Sequence, residues 1–263
     1  MIVKDQLNRE IYLEKTPRRI VSLVPSQTEL LVDLGLKEVI VGITKFCIHP
    51  KNLRKEKEVV GGTKQVNIDK IKKLNPGIIL CNKEENTLGM VEQLKEIAPV
   101  HISDINTIED CCQLIEMYGN LFNVQEKSSY VISKILEERS KFKATLKYSK
   151  KDKVAYFIWK EPWMVAASNT FIDFMINEAG YTNVFKNQER YPEIDLSDSD
   201  LQKADTLFLS SEPYPFKEEH VQILKEEFPK KNIEIIDGEM FSWYGSRLIR
   251  SYEYFTLLVD SAS

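Results

Sequence analysis

The chain has 263 residues, the size of one large or two small domains at about 100–200 residues each. Its 43% hydrophobic and 10% aromatic content supplies a sizeable core and excludes a globally disordered chain. Thirty-six Lys and Arg against forty Asp and Glu leave a formal net charge of -4, which argues against a nucleic-acid binder. No apolar run approaches the roughly 18 residues of a membrane-crossing helix.

The N-terminus from Met1 lacks the basic start, the apolar stretch of about 7–15 residues and the cleavage site of a secretory signal. Read as written, this predicts a cytoplasmic protein. If a signal has been removed, the periplasm or another extracytoplasmic face is predicted instead. Cys47, Cys81, Cys111 and Cys112 do not form a disulfide framework, because neighbours on a helix point about 100° apart. Reduced thiols are expected.

Arg19–Val24 is an apolar run before Pro25 and predicts a buried strand. Ser26-Gln27-Thr28-Glu29 has capping-box spacing, and the helix it opens is expected to end at Gly35. Strands are predicted at Val39–Ile43, Ile78–Leu80 and Val100–Ile102, alternating with helices at Ile68–Leu74 and Thr87–Ile97. Val124–Tyr148 contains no Gly or Pro and repeats apolar residues at helical spacing, which predicts one helix roughly 35 Å long. The plan then repeats. Strands at Lys153–Trp159, Thr206–Leu209 and Ile233–Ile236 alternate with helices at Thr170–Ala179, Lys217–Phe228 and Ser246–Val259. The expected architecture is therefore α/β, with Rossmann-like lobes over 1–123 and 149–263, mostly parallel sheets and an interlobe helix over 124–148.

Signals of catalysis are few. Neither G-x-x-x-x-G-K-[ST] nor G-x-G-x-x-G occurs, and Gly61-Gly62-Thr63-Lys64 fits neither pattern. Cys47-Ile48-His49 offers two metal ligands where a zinc site needs three or four, so no metal site is expected. Aromatic and charged residues gather instead after predicted strands, at Lys45-Phe46, Lys83–Asn86, Trp159–Trp163, Glu212–Phe216 and Asp237–Gly245. Open α/β sheets bind ligands at the carboxyl ends of their strands. Flat rings there suit a large, partly apolar ligand whose polar edges meet Lys, Arg and Glu.

These stretches resemble a known family. Thr16–Ser26 with Thr28-Glu29, then Gly61-Gly62-Thr63, Asn67–Ile71, Leu74-Asn75-Pro76 and the single long helix are similar to class III substrate-binding proteins. These are the cobalamin and iron-siderophore receptors, also called helical-backbone metal receptors. Thr44–Cys47, Asn82–Asn86, Trp159–Trp163 and Asp237–Arg247 resemble the cobalamin-type subgroup. The resemblance implies two lobes clasping a metal chelate, a corrinoid or iron siderophore, without catalysis and without a covalent cofactor. Phe46, Lys83, Glu84, Trp159, Trp163, Tyr214, Phe241, Trp243, Tyr244 and Arg247 are the ligand contacts it implies.

The resemblance also implies an ABC permease partner, which exported relatives meet with one acidic residue per lobe. Asp69 stands at the first such position, and Ser197 with Asp198 at the second. A shorter acid and a hydroxyl bind arginine less strongly than two glutamates. Two further readings stand beside chelate binding: an exported ABC-importer receptor, and a tetrapyrrole-acting enzyme with His49, Glu84 and Glu212 as acid/base groups.

Overall fold

A computed structural model describes residues 1–146 and 152–261. The chain divides into two compact units. The first comprises Met1–Glu137 and Tyr244–Leu248; the second comprises Glu138–Trp243 and the residues from Ile249 onward.

In the first unit, strands β1 (Ile2–Lys4) and β2 (Glu10–Tyr12) form an antiparallel hairpin. There follow β3 (Ile20–Ser22), α1 (Pro25–Asp33), β4 (Ile40–Thr44), α2 (Leu53–Glu56), β5 (Glu58–Gly61) and α3 (Ile68–Lys73). Strand β6 (Ile78–Asn82), α4 (Leu88–Lys95), β7 (Val100–Ser103) and α5 (Ile108–Phe122) complete the alternation. The sheet is all parallel in the order β5-β4-β3-β6-β7. Parallel strands covered on both faces read as continuous apolar runs, which is why Ile78-Ile79-Leu80 was legible. Val21, Leu23, Ile79, Cys81, Val91 and Leu94 are among the side chains of its core.

Helix α6 (Gln125–Thr145) has residues in both units, as the long connecting helix predicts. The expected end of that helix at Tyr148 lies outside the described residues. The second unit continues with β8 (Lys153–Trp159), β9 (Met164–Val165), α7 (Phe171–Glu178), β10 (Thr182–Asn183), α8 (Ser199–Gln202) and β11 (Thr206–Ser210). Helix α9 (Glu218–Glu227), β12 (Asn232–Ile236), α10 (Glu239–Ser242) and α11 (Leu248–Ser261) close the chain. Strands β10-β8-β11-β12 run parallel, and the short β9 pairs antiparallel with β8. The fold is thus two α/β lobes with mostly parallel sheets and a long connecting helix.

Side-chain caps set five of the helix starts, those of α3, α4, α5, α7 and α8. Thr87 and Thr170 accept from the backbone N–H three residues on, and Thr107 forms a full capping box with Asp110. Helix α1 differs from expectation. It begins at Pro25, whose fixed φ suits the first helical turn, so Ser26 is already inside and caps nothing. Glu29 does not reach back either, because its carboxylate receives the Arg247 guanidinium at 2.7 and 2.8 Å. The far end of α1 matches the reading. Gly35 takes φ +76° and donates to Val32, while Leu36 donates to Leu31.

A polar network runs through the interior of the first unit. Gln27 donates to Ser103 Oγ at 2.6 Å and to Tyr244 Oη at 2.9 Å, and Tyr118 donates to Gln27 at 2.7 Å. Gly245 N–H donates to Cys111 Sγ at 3.1 Å. These bonds and the Arg247–Glu29 pair fasten Tyr244–Leu248 into the first unit, far in sequence from the rest of it. In the second unit, the Glu178 carboxylate accepts from Arg139 at 2.9 Å and from Tyr252 at 3.0 Å, tying α6 and α11 to α7.

Candidate functional site

In each unit several of the expected residues stand at or beyond the carboxyl ends of the parallel strands. In the first, the loop after β4 is held from below by Cys47, whose buried Sγ lies 3.2 Å from Thr28 Oγ1 and 3.3 Å from Thr44 Oγ1. Phe46, on the other side of that anchor, is 48% exposed, with the Lys45 ammonium 5.0 Å from its ring centroid. Gly61 stands at φ +141°, and a Cβ there would meet the Gln65 carbonyl at 2.6 Å, so the tight turn after β5 requires glycine.

The turn after β6 is fixed by two asparagines. Asn82 Oδ1 accepts from Glu84 N–H at 2.8 Å, and Asn86 Oδ1 accepts from Asn82 N–H at 2.8 Å. This loop presents Lys83, Glu84 and Glu85. Lys83 is ion-paired with Asp104 at 2.6 Å, and the Lys64 ammonium donates to the Glu84 carbonyl. Burial pushes the Glu85 carboxyl above its usual range, against the opposing pull of Lys64. Glu85 falls in the Lys83–Asn86 stretch and Lys64 ends the Gly61–Lys64 stretch, but neither is among the expected ligand contacts. The signal for Lys64 is a lysine directly after a glycine turn at a strand end.

In the second unit, the end of β8 carries Trp159, 40% exposed and edge-on to Tyr214 with ring centroids 5.4 Å apart. Tyr214 in turn bonds His220 Nε2 through its hydroxyl at 3.1 Å, and Lys217 N–H donates to His220 Nδ1 at 2.9 Å. That chain of contacts holds the Tyr214 ring in place. Trp163 lies parallel to Phe216 at 6.2 Å, edge-on to Phe157 at 5.5 Å, and is packed against the unit's core. Glu212 accepts from Trp243 Nε1 at 2.9 Å and from the Ser242 hydroxyl, so its carboxylate orients the α10 segment.

Four expected ligand contacts lie in the interior instead, Trp243 among them at 7% exposed. Phe241 is 0% exposed and sits among Tyr156, Phe208 and Phe255, a core ring rather than a surface one. Arg247 is 3% exposed, and its guanidinium is engaged by Glu29. The buried Tyr244 hydroxyl is engaged by Gln27, and burial raises its pKa. The period of a loop just before a helix does not tell which aromatic turns inward. Phe46, Lys83 and Glu84 are grouped in one unit, and Trp159, Trp163, Tyr214 and Trp243 in the other.

The two acidic positions also differ. Asp69 is exposed in the first turn of α3, whose cap is Asn67. Asp198 caps α8 by accepting from Asp200 N–H at 2.8 Å, and the Ser197 hydroxyl donates to Asp195 at 2.7 Å. Among the described residues no group of three His, Cys, Asp or Glu is placed to hold a metal ion. Nor, among those residues, is any helix long and apolar enough to cross a membrane.

The profile of a family described as periplasmic binding protein matches residues 20–229. An uncharacterised ABC transporter substrate-binding lipoprotein of Bacillus subtilis is 26% identical over 194 residues, 71% of this chain and 61% of that relative. A vitamin B12-binding protein of Vibrio parahaemolyticus is 26% identical over 196 residues, covering 73% of this chain and 70% of the other. Among solved structures, a periplasmic heme-binding protein of Roseiflexus sp. superposes with a TM-score of 0.81 at 18% identity. That alignment covers 94% of this chain and 99% of the other, and it carries the fold. The cytoplasmic placement expected from Met1 finds no support in these relatives, whose names are those of a lipoprotein and a periplasmic protein.

Proposed function

The chain belongs to the periplasmic binding protein family, and from that premise we propose that it is a non-catalytic binder of a metal chelate of the corrinoid or porphyrin kind. The observation that carries the reading is the placement of partly exposed rings at strand carboxyl ends, in one unit beside a charged group. Phe46 with Lys45 provides this in one unit, and Trp159 with Tyr214 in the other. A macrocycle presents a broad apolar face and a rim of carboxylates or amides, which rings and ammonium groups complement. The named ligands of the relatives, vitamin B12 and heme, have this shape and chemistry. Lys83, Glu84 and the half-buried Glu85 would address the polar rim.

We further propose that the protein works on the outer side of the cytoplasmic membrane and hands its ligand to an ABC permease. Asp69 is the better placed of the two docking acids, since Asp198 is already used as a helix cap. In the acid/base alternative, Glu212 would act while also accepting from Ser242 and Trp243.

Titration with cobalamin, followed by tryptophan fluorescence, tests the binding reading. Saturable quenching at micromolar or lower concentration is expected, and Trp159→Phe should remove a large part of it. Flat titrations with cobalamin, haemin and a ferric siderophore alike would overturn the reading.

A further inference from the structure

At the amino ends of the second unit's strands, opposite the side just described, lies a groove of about 490 Å³. Its floor is apolar, made by Ala204 and Phe208. Tyr181 enters from before β10, with its ring edge-on to Phe208 at 5.0 Å. Tyr181 and Thr206 are each 7% exposed, no hydrogen bond to either hydroxyl occurs among the described residues, and neither oxygen is fully enclosed. Both residues line the groove. A hydroxyl that lines a groove and has no protein partner is open to a hydrogen bond from a ligand or water.

Three carboxylates stand around these hydroxyls: Asp152 ahead of β8, Asp205 ahead of β11 and Glu234 within β12. Asp205 also accepts from Lys153 N–H at 3.0 Å, which fixes it at the strand end. Two lysines line the same groove. The Lys231 ammonium is turned onto the carbonyls of Gln202 and Ala204, and Lys230 is exposed at the rim. Burial, together with Glu234 and Asp152, raises the Tyr181 pKa, so its hydroxyl keeps its proton.

We propose that this groove is a second small-molecule site, which takes a compound with a primary ammonium group on a short aliphatic body. The ammonium has three donors to share among carboxylates and hydroxyl oxygens, and the aliphatic body covers Ala204 and Phe208. An anionic ligand would meet three carboxylates with only the rim lysine facing it. The site is independent of the chelate reading, since none of its residues belongs to the strand carboxyl ends.

The test is ligand-observed saturation-transfer NMR on the whole chain with n-butylammonium as probe, and with butanoate and tetramethylammonium as controls. A ligand of so few atoms binds in the millimolar range. The proposal expects saturable transfer from n-butylammonium alone, weakened at least fivefold by Glu234→Gln and about twofold to fivefold by Tyr181→Phe. Lys230→Ala should leave it equal or tighter, and the cobalamin titration should be the same in all three variants. Equal transfer from tetramethylammonium, or binding indifferent to both Glu234→Gln and Tyr181→Phe, would overturn it as general charge attraction. Absence of transfer from every probe would overturn it as well.

Discussion

Replacing Glu29 by leucine removes the carboxylate that faces the Arg247 guanidinium inside the first unit. The side chains are 8% and 2% exposed, and the contact is bidentate at 2.7 and 2.8 Å. Breaking one side of a buried pair costs about 3–5 kcal/mol, because the remaining charge keeps its desolvation penalty and loses its counter-charge. Replacing both sides by apolar groups is far milder, and often neutral. Glu29→Leu and Arg247→Met should therefore each be strongly destabilising, and the double variant much less so than their sum. Hydrogen exchange by mass spectrometry reads this in peptides spanning β3 and α1. At about 1.4 kcal/mol per factor of ten, a loss of 3 kcal/mol speeds exchange of the core amides roughly a hundredfold. Single-variant changes under about fivefold, or strictly additive effects in the double variant, would refute the assignment of Arg247 to the interior. Both would instead suit an arginine held in reserve for a ligand.

Acid should destabilise the first unit through His101. Its ring is buried against Tyr118 at 5.4 Å, and neither ring nitrogen has a hydrogen-bond partner among the described residues. Burial lowers its pKa from 6.5 to about 4, with Asp5 opposing that fall and Arg9 adding to it. The unfolded chain therefore binds the extra proton first. The stability is fully present above pH 6.5 and is lost as pH falls toward 4, by about 3 kcal/mol at about 1.36 kcal/mol per pH unit. Urea unfolding of wild type and His101→Phe at pH 7.5 and 4.5 should show the wild type losing more; equal losses would contradict this. In the second unit, Trp159→Ala should weaken chelate binding at least tenfold with little effect on melting temperature. Trp163→Ala, which removes a ring packed between Phe157 and Phe216, should cost about 3 kcal/mol in thermal unfolding. Asp69→Arg should leave chelate affinity unchanged while abolishing uptake in a transport assay with the cognate permease; unchanged uptake would count against docking through α3.

Much of the architecture was legible because buried parallel strands read as unbroken apolar runs and threonine caps mark helix starts. The predicted helix over Thr170–Ala179 corresponds to α7 with Thr170 as its cap and Ala179 as its closing residue. The elements that escaped notice are those with weak period. Strand β5 holds only Val59 and Val60 between a glutamate and a glycine, and β1 and β2 are three residues each. Ser26 misled because capping-box spacing says nothing of a proline one residue earlier that starts the helix first. In the site, position along the chain was the reliable part: Phe46, Lys83 and Tyr214 follow strand ends, and Trp159 closes β8. Orientation was not, and Phe241 and Arg247 show why. Whether a loop side chain faces solvent or core depends on what packs beneath it, and the partners are Tyr156, Phe208 and Glu29, distant in sequence. The groove around Tyr181 was equally invisible, since its three carboxylates come from separate strands: ahead of β8, ahead of β11 and within β12.

The most direct test of chelate binding is the visible absorption spectrum and native mass of the protein purified untagged from its own host. The account predicts a corrinoid or porphyrin band and a matching added mass, which cobalamin or haemin restores to stripped protein. A colourless chain of bare mass that takes up neither compound would contradict it.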